Sequence, residues 1–417
     1  MGSLRGIYDQ ILKYSTAPLI VVALCCVANF INAADRVLMP ITIISMADEF
    51  DWDLHFQGWI LSSFSVGYLS SLVAGGSAAV NYGGKRVLAL AVLLWSMSSF
   101  LTPYFASSWI VMILFRFLLG VGEGIGLPTI FHIFAHLVPV DERGRAFSYL
   151  IALGSVGQFV AGIISPHMYW SLPFLLFGGA GLAWVVVWIA FTRVFGDFDH
   201  PGVSEHYTSS SCINQSARWR DFFNHRSLWA IYAAHFSMNW SNYIIMQWLP
   251  TYLVRSLGGG RFEVTLTALP YIVNSICGIA AGHLADSLVR QRWNVLWVRR
   301  LMTSVGLLGP GCLLLIFSAS SSIPLAVFLI SVSMGLSACN SAGHLAAHAE
   351  VAPNHAGITF AISNTLATIP GILCGPFTAY LVTRYGGRWL SVFIIAGFVN
   401  ILGAIIYLCH SATTPIM

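Results

Sequence analysis

The chain has 417 residues, of which 57% are hydrophobic and only 9% charged, against roughly 25% charged in a soluble domain. Its mean hydropathy of +0.76 excludes a water-soluble globular protein. The formal net charge of +4 is no nucleic-acid signal, because the basic residues follow a membrane pattern.

A spanning helix needs ~20 apolar residues. The predicted spans are 18–41, 56–80, 87–106, 109–136, 146–169 and 171–194, then 227–255, 263–285, 300–319, 324–348, 358–382 and 388–410. Several are interrupted by Gly and Pro, which lipid-embedded helices tolerate when neighbours satisfy the freed backbone groups. The first run lacks a small-residue cleavage site and is expected to remain a span. Between the two sets of six lies one long polar stretch. The expected organisation is an N-terminal half, 1–194, a cytosolic linker, 195–226, and a C-terminal half, 227–417. With the N-terminus in the cytosol, fourteen Lys and Arg residues fall on the cytosolic side and four on the other. That positive-inside bias predicts two cytosolic termini. Seven of the eight cysteines fall in predicted spans and Cys212 in the linker, without zinc-like spacing. They read as small apolar filler.

The fourth span is the most informative. Arg116 and Glu123 are seven residues apart, two helical turns, so both leave the same helix face. A charge at mid-bilayer depth costs ~2.5–3.5 kcal/mol even on a lenient scale, and such residues normally face a bundle interior or a water-filled cavity. A substrate or proton path is the functional reading; an ion pair locking helix four to a neighbour is the structural one. Glycines at 120, 122, 124 and 126, then Pro128, predict a deformable turn at Glu123 whose carbonyls are freed toward a cavity.

The halves echo each other. Pro139 to Pro166 and Pro353 to Pro376 each begin with a helix-breaking turn, have a Gly soon after it (Gly144, Gly357), and run through a Gly-rich span to a proline. Two six-helix halves with a site at the bilayer midplane are a transporter plan. After the second span comes Gly75-Gly76-Ser-Ala-Ala-Val-Asn81-Tyr-Gly83-Gly84-Lys85-Arg86, and after the eighth Gly282-His-Leu-Ala-Asp286 with basic residues from 290 to 300. This resembles the signature of the major facilitator superfamily, a tight cytosolic turn of Gly, Asp, Gly and basic residues. The resemblance gives Gly83, Gly84, Arg86 and Asp286 turn and gating roles. In the first half the signature's aspartate falls at about Val80 and its arginine at Asn81, so a gating ion pair there is in doubt.

Further stretches narrow the branch. Asn32-Ala-Ala-Asp35-Arg36-Val-Leu-Met39-Pro40, Phe64-Ser-Val-Gly67-Tyr68, Arg116-Phe-Leu-Leu-Gly120-Val-Gly-Glu123-Gly124 and Asp141-Glu142-Arg143-Gly-Arg145 form one set. His235-Phe-Ser-Met-Asn239-Trp240, Trp248-Leu-Pro250-Thr-Tyr252, Ala352-Pro353-Asn-His-Ala-Gly357, Asn364-Thr365 and Pro370-Gly371 form the other. Together they are similar to the anion:cation symporter branch, from about residue 20 to 410. That branch includes sialin, vesicular glutamate and nucleotide transporters, sodium–phosphate cotransporters and plastid phosphate or ascorbate transporters. The resemblance makes Arg36 the helix-one arginine around the substrate anion and Arg116 the helix-four arginine. Glu123 becomes the acidic residue of proton coupling. Glutamate carriers of the branch have a histidine in helix two and an arginine in helix seven; those positions fall near Leu61 and Met238, which argues against that substrate.

The chemistry is consistent with this. An arginine fork donates two parallel bonds to phosphate or carboxylate and stays charged, so Arg36 and Arg116 suit an anion, with Asp35 and Glu123 as counter-charges. Burial favours the neutral acid and a nearby arginine the carboxylate, the opposition that proton coupling requires of Glu123. The bland reading of Arg36 is snorkelling at a helix end. Tyr68, Tyr243, Asn239 and Asn364 are expected to line the cavity or to bond neighbouring helices. His344 and His348 are one turn apart, but no acidic residue or Cys joins them, so packing or hydrogen bonding is expected and no metal or cofactor. His132 and His136 share that spacing and could relay protons.

The expected protein is all-α, with twelve transmembrane helices in two six-helix pseudo-symmetric halves. It is expected to be a secondary active transporter of phosphate, a phosphate ester or nucleotide, or a carboxylate. Transport would run by alternating access coupled to H+ or Na+, as a monomer in the plasma membrane or an endomembrane vesicle. A carrier of a neutral sugar or drug is the alternative, and it would not need two buried cations. The chain has no GxxxxGK[ST] loop, HExxH helix or GxSxG elbow, so neither an enzyme nor an ATP-driven pump is expected.

Overall fold

The computed structural model describes residues 2–138, 140–195 and 220–416; most of the expected 195–226 linker lies outside them. The described residues form helices and turns without a β-strand. In chain order the long helices are α1 (Gly2–Phe50), α2 (Leu54–Tyr82), α3 (Gly84–Phe105), α4 (Trp109–Leu137), α5 (Val140–Ile164) and α6 (Ser171–Phe195). They continue with α7 (Arg226–Arg255), α8 (Leu269–Arg290), α9 (Val295–Phe317), α10 (Ile323–Ser337), α11 (His344–Val351), α12 (Ala356–Arg384) and α13 (Leu390–His410). Because α10 and α11 together make one path, Ile323–Val351, these are twelve potential spans.

Ten of the twelve are apolar and long enough to cross a membrane. The other two, α2 and α7, are 29 and 30 residues long, and α7 is the more polar of them. The polar residues of α7 bond other helices: Asn239 Nδ2 donates to Ala367 O at 2.8 Å, Gln247 Nε2 to Gly371 O at 3.1 Å, and Ser241 pairs with Asn400. Hydropathy falls where such bonds replace lipid contact.

Among the boundaries that differ from the sequence expectation, three shape the packing. The first helix continues past 41 to Phe50. The eighth span, expected from 263, opens with a short helix, Arg261–Thr265, and a 3-10 turn, Leu266–Ala268, before α8 begins beside Pro270. The span expected over 324–348 breaks after Ser337 into a 3-10 turn, Ala338–Ser341. There Asn340 Nδ2 donates to Gly306 O and Ser337 O at 2.8 and 2.9 Å, and Gly343 sits so close to Thr303 that an added Cβ would lie 2.8 Å from its nitrogen.

The described residues divide into two compact units: those within 1–36, 66–161 and 171–195 form the first, and those within 37–65, 162–170 and 220–416 the second. In the first, α3 packs against α4 and α6. Small residues permit the close approach: a Cβ on Gly122 would lie 2.9 Å from Ala91 O, one on Gly126 2.8 Å from the Trp95 ring, and one on Gly124 2.6 Å from Tyr68 O. The fourth helix is continuous, and these glycines are notches for α2 and α3. Trp184 and Trp188 of α6 stack at 5.0 Å and 15°, with their indole nitrogens donating to Leu24 O and Lys85 O. The turn from α2 to α3 is made by Gly83 at φ 87°, a conformation that only glycine adopts without strain.

In the second unit α7 packs on α12 and α13, and α9 on α10 and α13. The first turns of α2 meet α12 backbone to backbone, where a Cβ on Gly58 would lie 2.7 Å from Gly375 O. At the end of α1, Asp48 pairs with Arg255, and Glu49 Oε2 accepts from Tyr169 Oη and Trp170 Nε1, both at 2.6 Å.

Candidate functional site

The first unit brings two arginines and two carboxylates together. Successive helical residues diverge by about 100°, so neighbours Asp35 and Arg36 on α1 reach different helices. Asp35, 1% exposed, accepts from Ser99 Oγ of α3 at 2.8 Å through Oδ1. Arg36 Nε donates to Glu123 Oε2 of α4 at 2.6 Å, and its guanidinium lies 4.9 Å over the Tyr68 ring of α2. Glu123 is fully buried and Arg116 is 3% exposed. Arg116 lies within electrostatic reach of both Asp35 and Glu123.

Arg116 and Glu123 do share a face, yet the direct partner of Glu123 is Arg36 on another helix. Glu123 Oε1 and Asp35 Oδ2 are buried without a hydrogen-bond partner among the described residues. Each carboxylate thus keeps one acceptor oxygen in reserve. Formally the four charges cancel. Such a cluster is costly to dismantle, because removing one member of a buried pair leaves an uncompensated charge at ~3–5 kcal/mol.

The other expected site residues lie elsewhere. Asn239 spends its amide on α12, as given above. Tyr243 packs on Gly371, whose added Cβ would lie 2.8 Å from the ring. Asn364 is half-buried on α12, and its backbone oxygen accepts from Thr368. Asp286 is exposed near the end of α8, where its carbonyl accepts from Arg290 Nε at 3.3 Å. Gly84 packs on Ile133, and Arg86 is exposed. His132 and His136 stand with ring centroids 4.2 Å apart, and His136 Nδ1 bonds the His132 carbonyl at 2.8 Å. His348 bonds Thr359 at 3.1 Å. Among the described residues no group of three or more His, Cys, Asp or Glu is arranged to hold a metal.

Sequence reasoning missed Ser99. A lone serine in an apolar span carries no signal, and only the packing of α3 on α1 gives it a partner.

Long apolar helices with opposed charges buried among them are the build of a membrane carrier. The Major Facilitator Superfamily model matches residues 25–373, and the chain belongs to that family, whose members are transporters and not enzymes. Its relatives place it in the anion:cation symporter branch. It is 34% identical to sialin of Ovis aries over 381 residues, covering 86% of this chain and 76% of the relative. It is 31% identical to the chloroplastic sodium-dependent phosphate transport protein 1 of Arabidopsis thaliana over 400 residues, covering 93% and 78%. Its identity to the chloroplastic ascorbate transporter of Arabidopsis thaliana is 30% over 404 residues, covering 93% and 74%. Among solved structures, a bacterial homologue of the human lysosomal transporter Spinster, inward-facing and occupied, superposes with TM-score 0.78 at 14% identity, covering 95% of this chain and 97% of that one. The xylose transporter XylE from E. coli, inward open, gives 0.74 at 13% identity, covering 95% and 97%. These likenesses show the fold alone.

Proposed function

We propose that the chain transports a small organic or inorganic anion, coupled to protons, and that the Arg36–Glu123 pair is the coupling element. The observation that carries this reading is the bond between a fully buried carboxylate and an arginine on a second helix, with Arg116 nearby. An entering carboxylate or phosphate competes with Glu123 for the Arg36 fork. Protonating Glu123 neutralises it, weakens its hold on Arg36 and leaves the cluster one positive charge in excess, matched to a monoanion. Discharging the proton after the anion departs restores the internal pair. Each ligand thereby favours binding of the other, which is symport expressed as linkage.

The relatives named for sialin, phosphate and ascorbate support an anion as cargo, and the alternating-access cycle is inferred from the family. Within this reading 1–194 and 227–417 are the two halves joined by 195–226, with both termini cytosolic and the monomer as the working unit. The membrane is the plasma membrane or an endomembrane vesicle.

The test is uptake into proteoliposomes of radiolabelled phosphate and, separately, ascorbate, under imposed pH, sodium and voltage gradients. Saturable, pH-driven uptake lost in Arg116→Ala supports the reading. Sodium-driven uptake indifferent to pH would replace the proton by sodium. Equal carriage of a neutral sugar by wild type and Arg116→Ala would overturn it.

A further inference from the structure

The second unit holds a polar cluster that the arginine–carboxylate site does not use. His235 of α7 and His344 and His348 of α11 are 4%, 0% and 3% exposed. They interrupt an apolar core to which their own helices contribute Leu228, Ile231, Ala234, Ala347 and Val351. The rings of His235 and His344 have centroids 5.6 Å apart, and Phe360 of α12 packs on both His235 and His348, at 6.2 and 5.7 Å. Three imidazoles, separated by as many as 113 positions in sequence, form one group.

Their bonding is incomplete. His235 Nδ1 pairs with Ser363 Oγ at 2.8 Å and His348 Nδ1 with Thr359 Oγ1 at 3.1 Å. Neither nitrogen of His344, nor Nε2 of His348, has a hydrogen-bond partner among the described residues. A neutral imidazole offers one N–H and one lone pair, so His344 buries a donor and an acceptor that are both unmet. Each carries the desolvation penalty of a lost hydrogen bond. A phenylalanine or leucine would fill the same space without that penalty, so packing does not account for the choice of residue. A role that needs a basic nitrogen and an acidic N–H on one ring does: a proton is taken up at one nitrogen and released from the other.

We propose that His235, His344 and His348 form a proton-binding site separate from Glu123, holding one proton among the three rings. In the step, an imidazole lone pair forms an N–H bond with a proton delivered from water, giving an imidazolium. The reverse step breaks an N–H bond and returns the proton to water. The groups facing the trio fit a single extra charge. The twelfth helix presents Ser363 and Thr359, uncharged oxygens able to accept from N–H, and α13 presents Tyr407, its ring 6.2 Å from that of His344. Tyr407 lies within electrostatic reach of Glu350, Arg299 and Arg300. Glu350 bonds Arg299 at 2.6 Å, is 21% exposed in its side chain, and keeps a buried, unpartnered Oε2. Tyr407 thus lies against the trio on one side and within electrostatic reach of the part-exposed Glu350–Arg299 pair on the other.

Its part in transport rests on the reading above of a proton-coupled carrier; the protonation itself does not. The experiment is 15N NMR of the full chain in lipid nanodiscs, with histidine rings labelled, recorded from acid to alkaline pH. The trio is assigned by the resonances lost in His235→Gln, His344→Gln and His348→Gln separately. If one variant fails to fold, the other two and the wild-type spectrum still report. The expected result is that the trio's ring nitrogens move together from the split, neutral pattern to the imidazolium position, with one proton for the group. Three rings fixed in neutral tautomers over the whole range in which the protein stays folded would overturn the inference. In proteoliposomes, His344→Gln is expected to alter the pH profile of uptake while Glu123→Gln removes proton drive. A titrating trio in a protein that moves no anion would discard the transport reading alone. Proton-driven uptake with a silent trio would discard this site alone.

Discussion

Glu123 owes its position to one partner. Its contact to Arg36 is 2.6 Å in a fully buried setting, so substitution separates charge from shape. Glu123→Gln keeps the volume and removes the titration; proton-driven accumulation is expected to vanish while anion exchange between loaded liposomes persists. Accumulation that survives the change would remove Glu123 as the coupling group. Ser99→Ala tests the other carboxylate. The bond it deletes is to a charged acceptor, worth about 1.5–3 kcal/mol, and a drop of that size in stability should appear in denaturant unfolding of the purified protein. By contrast, Arg255→Ala breaks an exposed pair with Asp48 (side chains 45% and 61% exposed). Such pairs contribute ~0–1 kcal/mol, so the same assay should scarcely respond. The sequence made Arg116 and Glu123 legible because helical spacing fixes which face a residue leaves from. It left the Arg36 contact open, since spacing within one helix does not say which neighbour packs against it. Ser99 and the approach of His235 to the His344–His348 pair were illegible for the same reason: their meaning is tertiary.

At the scale of an element, α4 shows how a helix can carry charge and still pack tightly. Its glycines place α2 and α3 at backbone distance, and a β-branched residue at one of them must push a neighbouring helix away. Gly124→Val, facing Tyr68 O at 2.6 Å from an added Cβ, is expected to lower stability by about 1–3 kcal/mol through overpacking. Because Tyr68 lies under Arg36, it should also weaken anion affinity. A variant with wild-type melting and wild-type affinity would show that α2 gives way at no cost. The glycine run was visible in sequence, but glycine marks bending and close approach alike, and only the neighbouring helices show the close approach. Similarly, the break between α10 and α11 has no proline to announce it. It is set by Asn340 reaching Gly306 O.

For the molecule as a whole, the charge balance predicts its response to voltage. The empty cluster sums to zero, and a monoanion entering with one proton leaves that sum unchanged. Moving one elementary charge through 100 mV is worth about 2.3 kcal/mol. Uptake of a monovalent anion should therefore be indifferent to a clamped potential, whereas a dianion carried with one proton should respond steeply. Initial rates at several potassium–valinomycin potentials decide between them. The fold class and the family were legible throughout, because hydropathy over twelve runs averages away local ambiguity. The polar bonding that lowers the hydropathy of α7 did not hide its length.

The stacked indoles of Trp184 and Trp188, 5.0 Å apart and 15° from parallel, have an optical consequence. Two transition dipoles at that spacing couple as an exciton, splitting the indole band into a circular-dichroism couplet. Both nitrogens are anchored, to Leu24 O and Lys85 O, so the couplet lasts only while α6 stays seated on α1 and the start of α3. Trp184→Phe should erase that contribution, and its loss on heating would date the loosening of the first unit without a label.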